Sequence, residues 1–144
     1  MKIQNRINNP QKIDVIEIEK EINNDKHVIV QFSEESYSDL ILSELDNLCK
    51  KYDQSFGVRF YGHYSNAFDF NHLKKIPNVK CLYVDCLTDV VNFDALSELQ
   101  YLEKLSVGYY NLKQTEFLDF DNLKKVKELY LTDTKTKALN LEYL

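Results

Sequence analysis

Three stretches of the chain place apolar residues at the same intervals. The first is Phe70, Leu73, Ile76, Val79, Leu82 and Val84. The second is Phe93, Leu96, Leu99, Leu102, Leu105 and Val107, and the third is Phe117, Phe120, Leu123, Val126, Leu129 and Leu131. In each stretch four gaps of three are followed by one gap of two. The stretches start at Phe70, Phe93 and Phe117, with Leu141 and Leu144 opening a further set, so the pattern recurs with a period of about 24 residues. Gaps of three suit a turn of α- or 3₁₀-helix that turns one face inward. The closing gap of two suits a short strand with alternate side chains inward. Each unit therefore reads as a helical segment, a turn and a strand. The strands fall at residues 80–85, 104–107 and 128–131. One unit cannot bury its apolar edge alone, so the units must stack and share a core and a parallel sheet.

The same register extends one strand upstream. Val58 and Phe60 stand one period before Leu82 and Val84, which makes 57–61 the first strand of the array. Before it the pattern changes. Ile13, Val15, Ile16 and Ile18 partly alternate with acidic residues, which predicts a strand at 13–19. Residues 27–32, His-Val-Ile-Val-Gln-Phe, predict a second, with Asn23-Asn24-Asp25 as turn chemistry between them. Residues 36–52 carry Tyr37, Leu40, Ile41, Leu45, Leu48, Cys49 and Tyr52 at helical spacing, with Ser33 or Ser36 available as a cap. The expected organisation is a patternless, mobile tail at 1–12, a strand–strand–helix cap at 13–55 and repeats at 56–144. The last repeat stops before its strand. That predicts a truncated piece, a helical lid, or a partner covering the open end.

The pattern Leu73-x-x-Ile76-x-x-Val79-x-x-Leu82-x-Val84, repeated from Leu96 to Val107 and from Phe120 to Leu131, resembles the leucine-rich-repeat family. It is similar to the short-helix form found in internalins and in the regulatory subunit of protein phosphatase 1. The resemblance implies an α/β fold, a short leucine-rich-repeat solenoid with a parallel sheet lining a concave face. It also implies binding of another protein. The family's Asn or Cys at the turn after the strand is absent, because Leu87, Tyr110 and Thr134 stand there.

Composition narrows the chemistry. The net charge is −5. An acidic chain is ill suited to a phosphate backbone and suited to a basic protein partner. No run of about twenty apolar residues predicts a membrane span, and no signal-peptide core follows Met1, so the cytoplasm is the expected compartment. Cys49, Cys81 and Cys86 form neither a disulfide framework nor a zinc spacing and are expected as reduced thiols in or near the core. His27, His63 and His72 have no nucleophile or carboxylate at a recognisable spacing, and Tyr61-Gly62-His63-Tyr64-Ser65 is no phosphate loop. No catalytic residue, metal ligand or cofactor is expected.

The candidate site is therefore a surface. Residues flanking the buried strand positions point to the concave face. Arg59, Tyr61, Tyr83, Asp85, Ser106, Tyr110, Tyr130 and Thr132 are the expected partner contacts. Tyrosine and arginine combine large contact area with a polar handle. The expected function is a protein-binding module. A small acidic chain also fits a dedicated inhibitor, similar to bacterial immunity proteins or antitoxins that cover a toxin, and the Lys-, Asn-, Ile- and Tyr-rich composition suits an AT-rich bacterial genome. The alternative is a structural segment of a longer repeat protein without independent activity.

Overall fold

The computed structural model describes residues 2–109 and 120–132. The chain runs through β1 (Ile3–Asn8), α1 (Val15–Asn23), β2 (Lys26–Phe32), α2 (Asp39–Lys51) and β3 (Phe56–Gly62), followed by β4 (Phe68–Asp69) and β5 (Cys81–Leu87). Then come β6 (Val90–Val91), β7 (Lys104–Tyr109) and β8 (Glu128–Leu131). Short 3₁₀ segments at Phe70–Lys75, Phe93–Glu98 and Asp121–Lys125 return the chain between the later strands. The main sheet has the order β1-β2-β3-β5-β7-β8, with every neighbour parallel. The short β4 and β6 pair beside it at the corner.

The strand register confirms the repeat. Val58 pairs with Leu82, Leu82 with Leu105 and Leu105 with Leu129, so each step along the sheet is one period of the apolar pattern. The 3₁₀ segments fall on the gaps of three, because side chains at i and i+3 eclipse in a 3₁₀ turn and reach the same core.

The N-terminal region departs from the expected cap. Residues 13–19 begin a helix, α1, rather than a strand. Ile18 and Ile22, four apart, are 2% and 8% exposed, whereas Ile16 is 83% exposed. In a strand Ile16 and Ile18 would share one face. Asp14 caps the helix by accepting from the Glu17 amide at 3.1 Å. The expected tail at 1–12 contains β1, an edge strand whose polar sequence hid it. It is parallel to β2, with Asn5 opposite Val28. The helix expected at 36–52 starts at Asp39, capped by Ser38, which accepts from the Ile41 amide. Leu40 accordingly points outward at 69% exposure. Strand–helix–strand units thus begin at β1, and only the return element changes downstream.

One core joins all turns. Val28, Val30, Phe32, Val58, Phe60, Leu82, Val84, Leu105 and Val107 meet the helices from one face of the sheet. A run of rings crosses the junction: Phe32–Phe60 at 5.8 Å, Phe60–Phe68 at 4.8 Å, Phe68–Phe70 at 5.2 Å and Phe70–Phe93 at 4.8 Å. Polar clips tie successive returns together. Asn122 Nδ2 donates to the carbonyls of Leu96 (2.9 Å) and Leu99 (2.8 Å). The Asp46 carboxylate accepts from the Asn78 amide and side chain. These clips lie among the return segments, whereas the turn position usual for the family holds a buried leucine, Leu87. The expected unfinished repeat after Leu139 lies outside the described residues.

Candidate partner-binding face

Among the described residues, all helical returns pack on one face of the sheet, and the other face is open. Two rows of side chains cross it. One runs Arg6, Ile29, Gly57, Cys81, Lys104 and Glu128. The next runs Asn8, Gln31, Arg59, Tyr83, Ser106 and Tyr130. Parallel register makes these rows automatic, because an offset of one repeat returns each side chain to the same face.

The second row is wired together. Arg59 Nε donates to Asp85 Oδ1 at 2.7 Å, and Ser106 Oγ donates to Asp85 Oδ2 at 2.7 Å. Arg59 also stacks over the Tyr61 ring, its guanidinium carbon 4.3 Å from the centroid. Gln31 Oε1 accepts from Arg6 at 2.9 Å and from Arg59 at 3.4 Å, and Gln31 Nε2 donates to Asn8. Burial works against the charge on Arg59, but the Asp85 hydrogen bond and carboxylate outweigh it and hold the guanidinium above its ordinary range. Tyr83 rests in a small apolar patch with Ile29 and Cys81, and burial raises its hydroxyl well above the ordinary range. Lys104 spans the rings of Tyr83 (5.4 Å) and Tyr130 (5.6 Å).

The structure sorts the expected contact residues into two groups. Tyr83, Asp85 and Ser106 are only 8%, 8% and 4% exposed. They brace the face from within. Arg59, Tyr61 and Thr132 are half-buried, and Tyr130 stands out at 48% exposure. Tyr110 lies outside the described residues. Gly108 leaves no room for a side chain, since a Cβ there would sit 1.7 Å from the Thr132 carbonyl oxygen. Arg6, Asn8, His27 and Gln31 belong to the same face and lie outside the contacts expected from the repeat. Their signal was present: the alternation in 27–32 carries the face onward, and Asn8 follows it one strand out.

Two hollows open beside the face. One, of about 740 Å³, lies along the N-terminal ends of the strands from Lys2 and His27 to Lys104 and Glu128. The other, of about 430 Å³, lies at the opposite ends beside Ser33, Glu35, His63 and Tyr64. His63 is buried with φ 55° and both ring nitrogens engaged, Nε2 with the Tyr37 hydroxyl at 3.1 Å and Nδ1 with the Tyr61 carbonyl at 2.7 Å. Burial lowers its pKa. It pins the corner after β3 and is not poised to exchange a proton with a ligand. Cys49 and Cys81 are buried, and burial pushes the Cys49 thiol up to about 12. Cys86 is exposed at a bulge, with φ 53°. Among the described residues no three His, Cys, Asp or Glu side chains converge on a metal position, and no helix is long and apolar enough to cross a membrane.

Strand, corner and 3₁₀ return, repeated at intervals of about 24 residues on one parallel sheet, define a leucine-rich-repeat-type solenoid. No family model matches the sequence, and no curated protein matches it. Among solved structures the chain is similar to an internalin from Listeria monocytogenes, at 14% identity and a TM-score of 0.48. That likeness covers 80% of this chain and 37% of the internalin chain, so the chain spans little more than a third of that protein's length.

Proposed function

We propose that the chain is a protein-binding module and that its partner docks on the open face of the sheet. The observation that carries this reading is the bare parallel sheet. Parallel sheets are ordinarily covered on both faces. Among the described residues α1, α2 and the 3₁₀ returns cover one face only, and an exposed tyrosine, Arg6, Lys104 and a polar network occupy the other. The inner part of that network, half-buried Arg59 with buried Asp85 and Ser106, holds its shape before a partner arrives, which lowers the cost of ordering on association. The contacts are then Tyr130, Arg59, Tyr61 and Thr132 as read from the sequence, with Arg6 added by the structure. The finer role of dedicated inhibitor, of the immunity or antitoxin type, rests on the acidity of the chain and on analogy.

The test is a titration of the native partner, captured from the source cells, against wild-type protein and two variants. Tyr130→Ala should weaken binding by about 2 kcal/mol or more, the size of a hot-spot loss. Its melting temperature should stay within a few degrees of wild type, because half of Tyr130 is already in water. Unchanged affinity for both Tyr130→Ala and Arg6→Ala would move the contact off this face.

A further inference from the structure

The main sheet carries charge opposite in sign to that of the whole chain. The six strands of the main sheet carry Arg6, Lys26, Arg59 and Lys104 against Asp85 and Glu128. Helices α1 and α2 carry Glu17, Glu19, Glu21, Asp39, Glu44 and Asp46 against three lysines. The acidity of the protein therefore sits on the helical side. On the open face Arg59 is neutralised by Asp85, and Lys104 has Glu128 only at 4.0 Å. Arg6 is exposed, and its hydrogen bonds go to the amide oxygens of Gln31 and Gln4, which leave its charge uncompensated.

His27 stands at the floor of this hollow. It is 9% exposed, and its Nε2 is buried with no hydrogen-bond partner. A buried polar atom without a partner is unusual in a native core and calls for a group to pair with it, a water or a ligand. We propose that the hollow receives an extended acidic segment of the partner protein, with one carboxylate seated at His27 among Lys2, Arg6 and Lys104. The proposal rests on the open face being the binding surface and adds the chemistry of what it binds.

Size and field both favour that occupant. The hollow runs from β1 to β8, five strand spacings or about 24 Å, which an extended segment of about seven residues spans. Its lining is polar, which suits a segment studded with charges better than an apolar ligand. Burial first, then Lys104, Lys2 and Arg6, hold the His27 ring below its ordinary pKa, with a backbone hydrogen bond at Gln54 working the other way. The charges that act on the ring most strongly are thus cationic, although Lys2 also faces Asp25 at 3.6 Å and the lining of the hollow balances Lys2, Lys104 and Lys127 against Asp53, Glu103 and Glu128. An incoming carboxylate cancels that field. The ring then takes a proton from solvent, and Nε2–H donates to the carboxylate. Binding takes up a proton, so affinity rises as pH falls through the range between the ring's free and bound pKa values.

The experiment uses the full chain and two labelled peptides of about ten residues, one alternating Glu and Ser, the other Lys and Ser. Succinate and inorganic phosphate serve as small-anion probes. The Glu peptide should bind about tenfold more tightly than the Lys peptide at low salt. It should move the His27 ring resonances and raise the ring's pKa by about one unit. Arg6→Gln should weaken it about fivefold with melting unchanged, and His27→Gln should remove the pH dependence of binding. A Lys peptide that binds equally well, or a His27 ring that does not respond, overturns the proposal. Succinate or phosphate binding as tightly as the Glu peptide overturns the extended segment in favour of a small-anion site. If partner capture needs the open face while the Glu peptide fails, only the acidic assignment falls. If the peptide binds and capture ignores the face, both readings fall.

Discussion

The two halves of this solenoid solve one problem with different parts. From β1 to β3 the chain returns through α-helices of 9 and 13 residues. From β3 to β8 it returns through 3₁₀ segments of 5 or 6 residues. The strands nevertheless keep one parallel register, with Asn5 opposite Val28 in the first half and Val58 opposite Leu82 in the second. Only the step from Val28 to Phe56, which carries the longer α2, is stretched. A 3₁₀ turn rises about 2.0 Å per residue and an α-helix about 1.5 Å, so six residues of one and nine of the other cover similar ground. The lesson is that the sheet is the constant part of the architecture and the return is negotiable. What the longer helices add is apolar area, since Ile18, Ile22, Leu42, Leu45 and Leu48 are all buried beneath the first strands.

The sharpest way to break this comparison is to cut the joint. Phe60 is fully buried and contacts Phe32 and Tyr37 on one side and Phe68 on the other. Phe60→Ala should cost about 3–5 kcal/mol, read by urea denaturation. It should also broaden the transition or divide it in two, because a stack of units depends on its internal interfaces. A small loss with a single sharp transition would show that the halves do not rely on each other.

Asp85 tests the open face instead of the core. Its partner Arg59 has only 17% of its side chain exposed, so Asp85→Ala leaves a buried guanidinium unpaired and should cost about 3 kcal/mol. The double change Arg59→Met with Asp85→Leu should cost less than Asp85→Ala alone. Equal costs would mean that the pair is not acting as a unit. The clip at Asn122 is smaller and belongs to the second half alone. Asn122→Ala frees the Leu96 and Leu99 carbonyls and should cost about 1–3 kcal/mol. Leu45→Ala in the first half, a control without such a clip, should follow ordinary core truncation at about 2–5 kcal/mol.

The mildest effect is pH dependence. His27 and His63 both titrate below their ordinary range, each chiefly because it is buried. Their stabilising effect is full above the unfolded value of about 6.5 and is lost as pH falls through the lower folded values. Melting temperature should therefore decline below about pH 6.5, and His27→Gln with His63→Gln should flatten the decline.

How much of this was legible differs by half for the same physical reason. The second half announces itself, because each 3₁₀ return spends every third residue on the core and leaves an unmistakable spacing. The first half does so only in part. Its β2 and α2 carry a readable spacing, but α1 needs only Ile18 and Ile22, and Ile16 blurs the stripe by facing outward. Its edge strand β1 is Ile-Gln-Asn-Arg-Ile-Asn, and an edge strand with one wet face has little reason to be apolar. On the open face the rows follow directly from the repeat. Burial does not, because it depends on Asp85 being clasped by Arg59 and Ser106 and on Tyr83 lying against Ile29 from β2. Those partners are distant in sequence and carry no periodic mark.

The claim that matters most is that the bare sheet face is where the partner sits, and it can be tested by blocking one face at a time. With Cys86 replaced by Ser, and labelling confined to the introduced thiol, single cysteines at Arg6 or Tyr130 on the open face, or at Ile16 or Leu40 on the helical face, would be coupled to a bulky polymer. Partner capture should be lost when the polymer is at Arg6 or Tyr130 and kept when it is at Ile16 or Leu40. Capture that survives at the first pair and fails at the second would contradict the account.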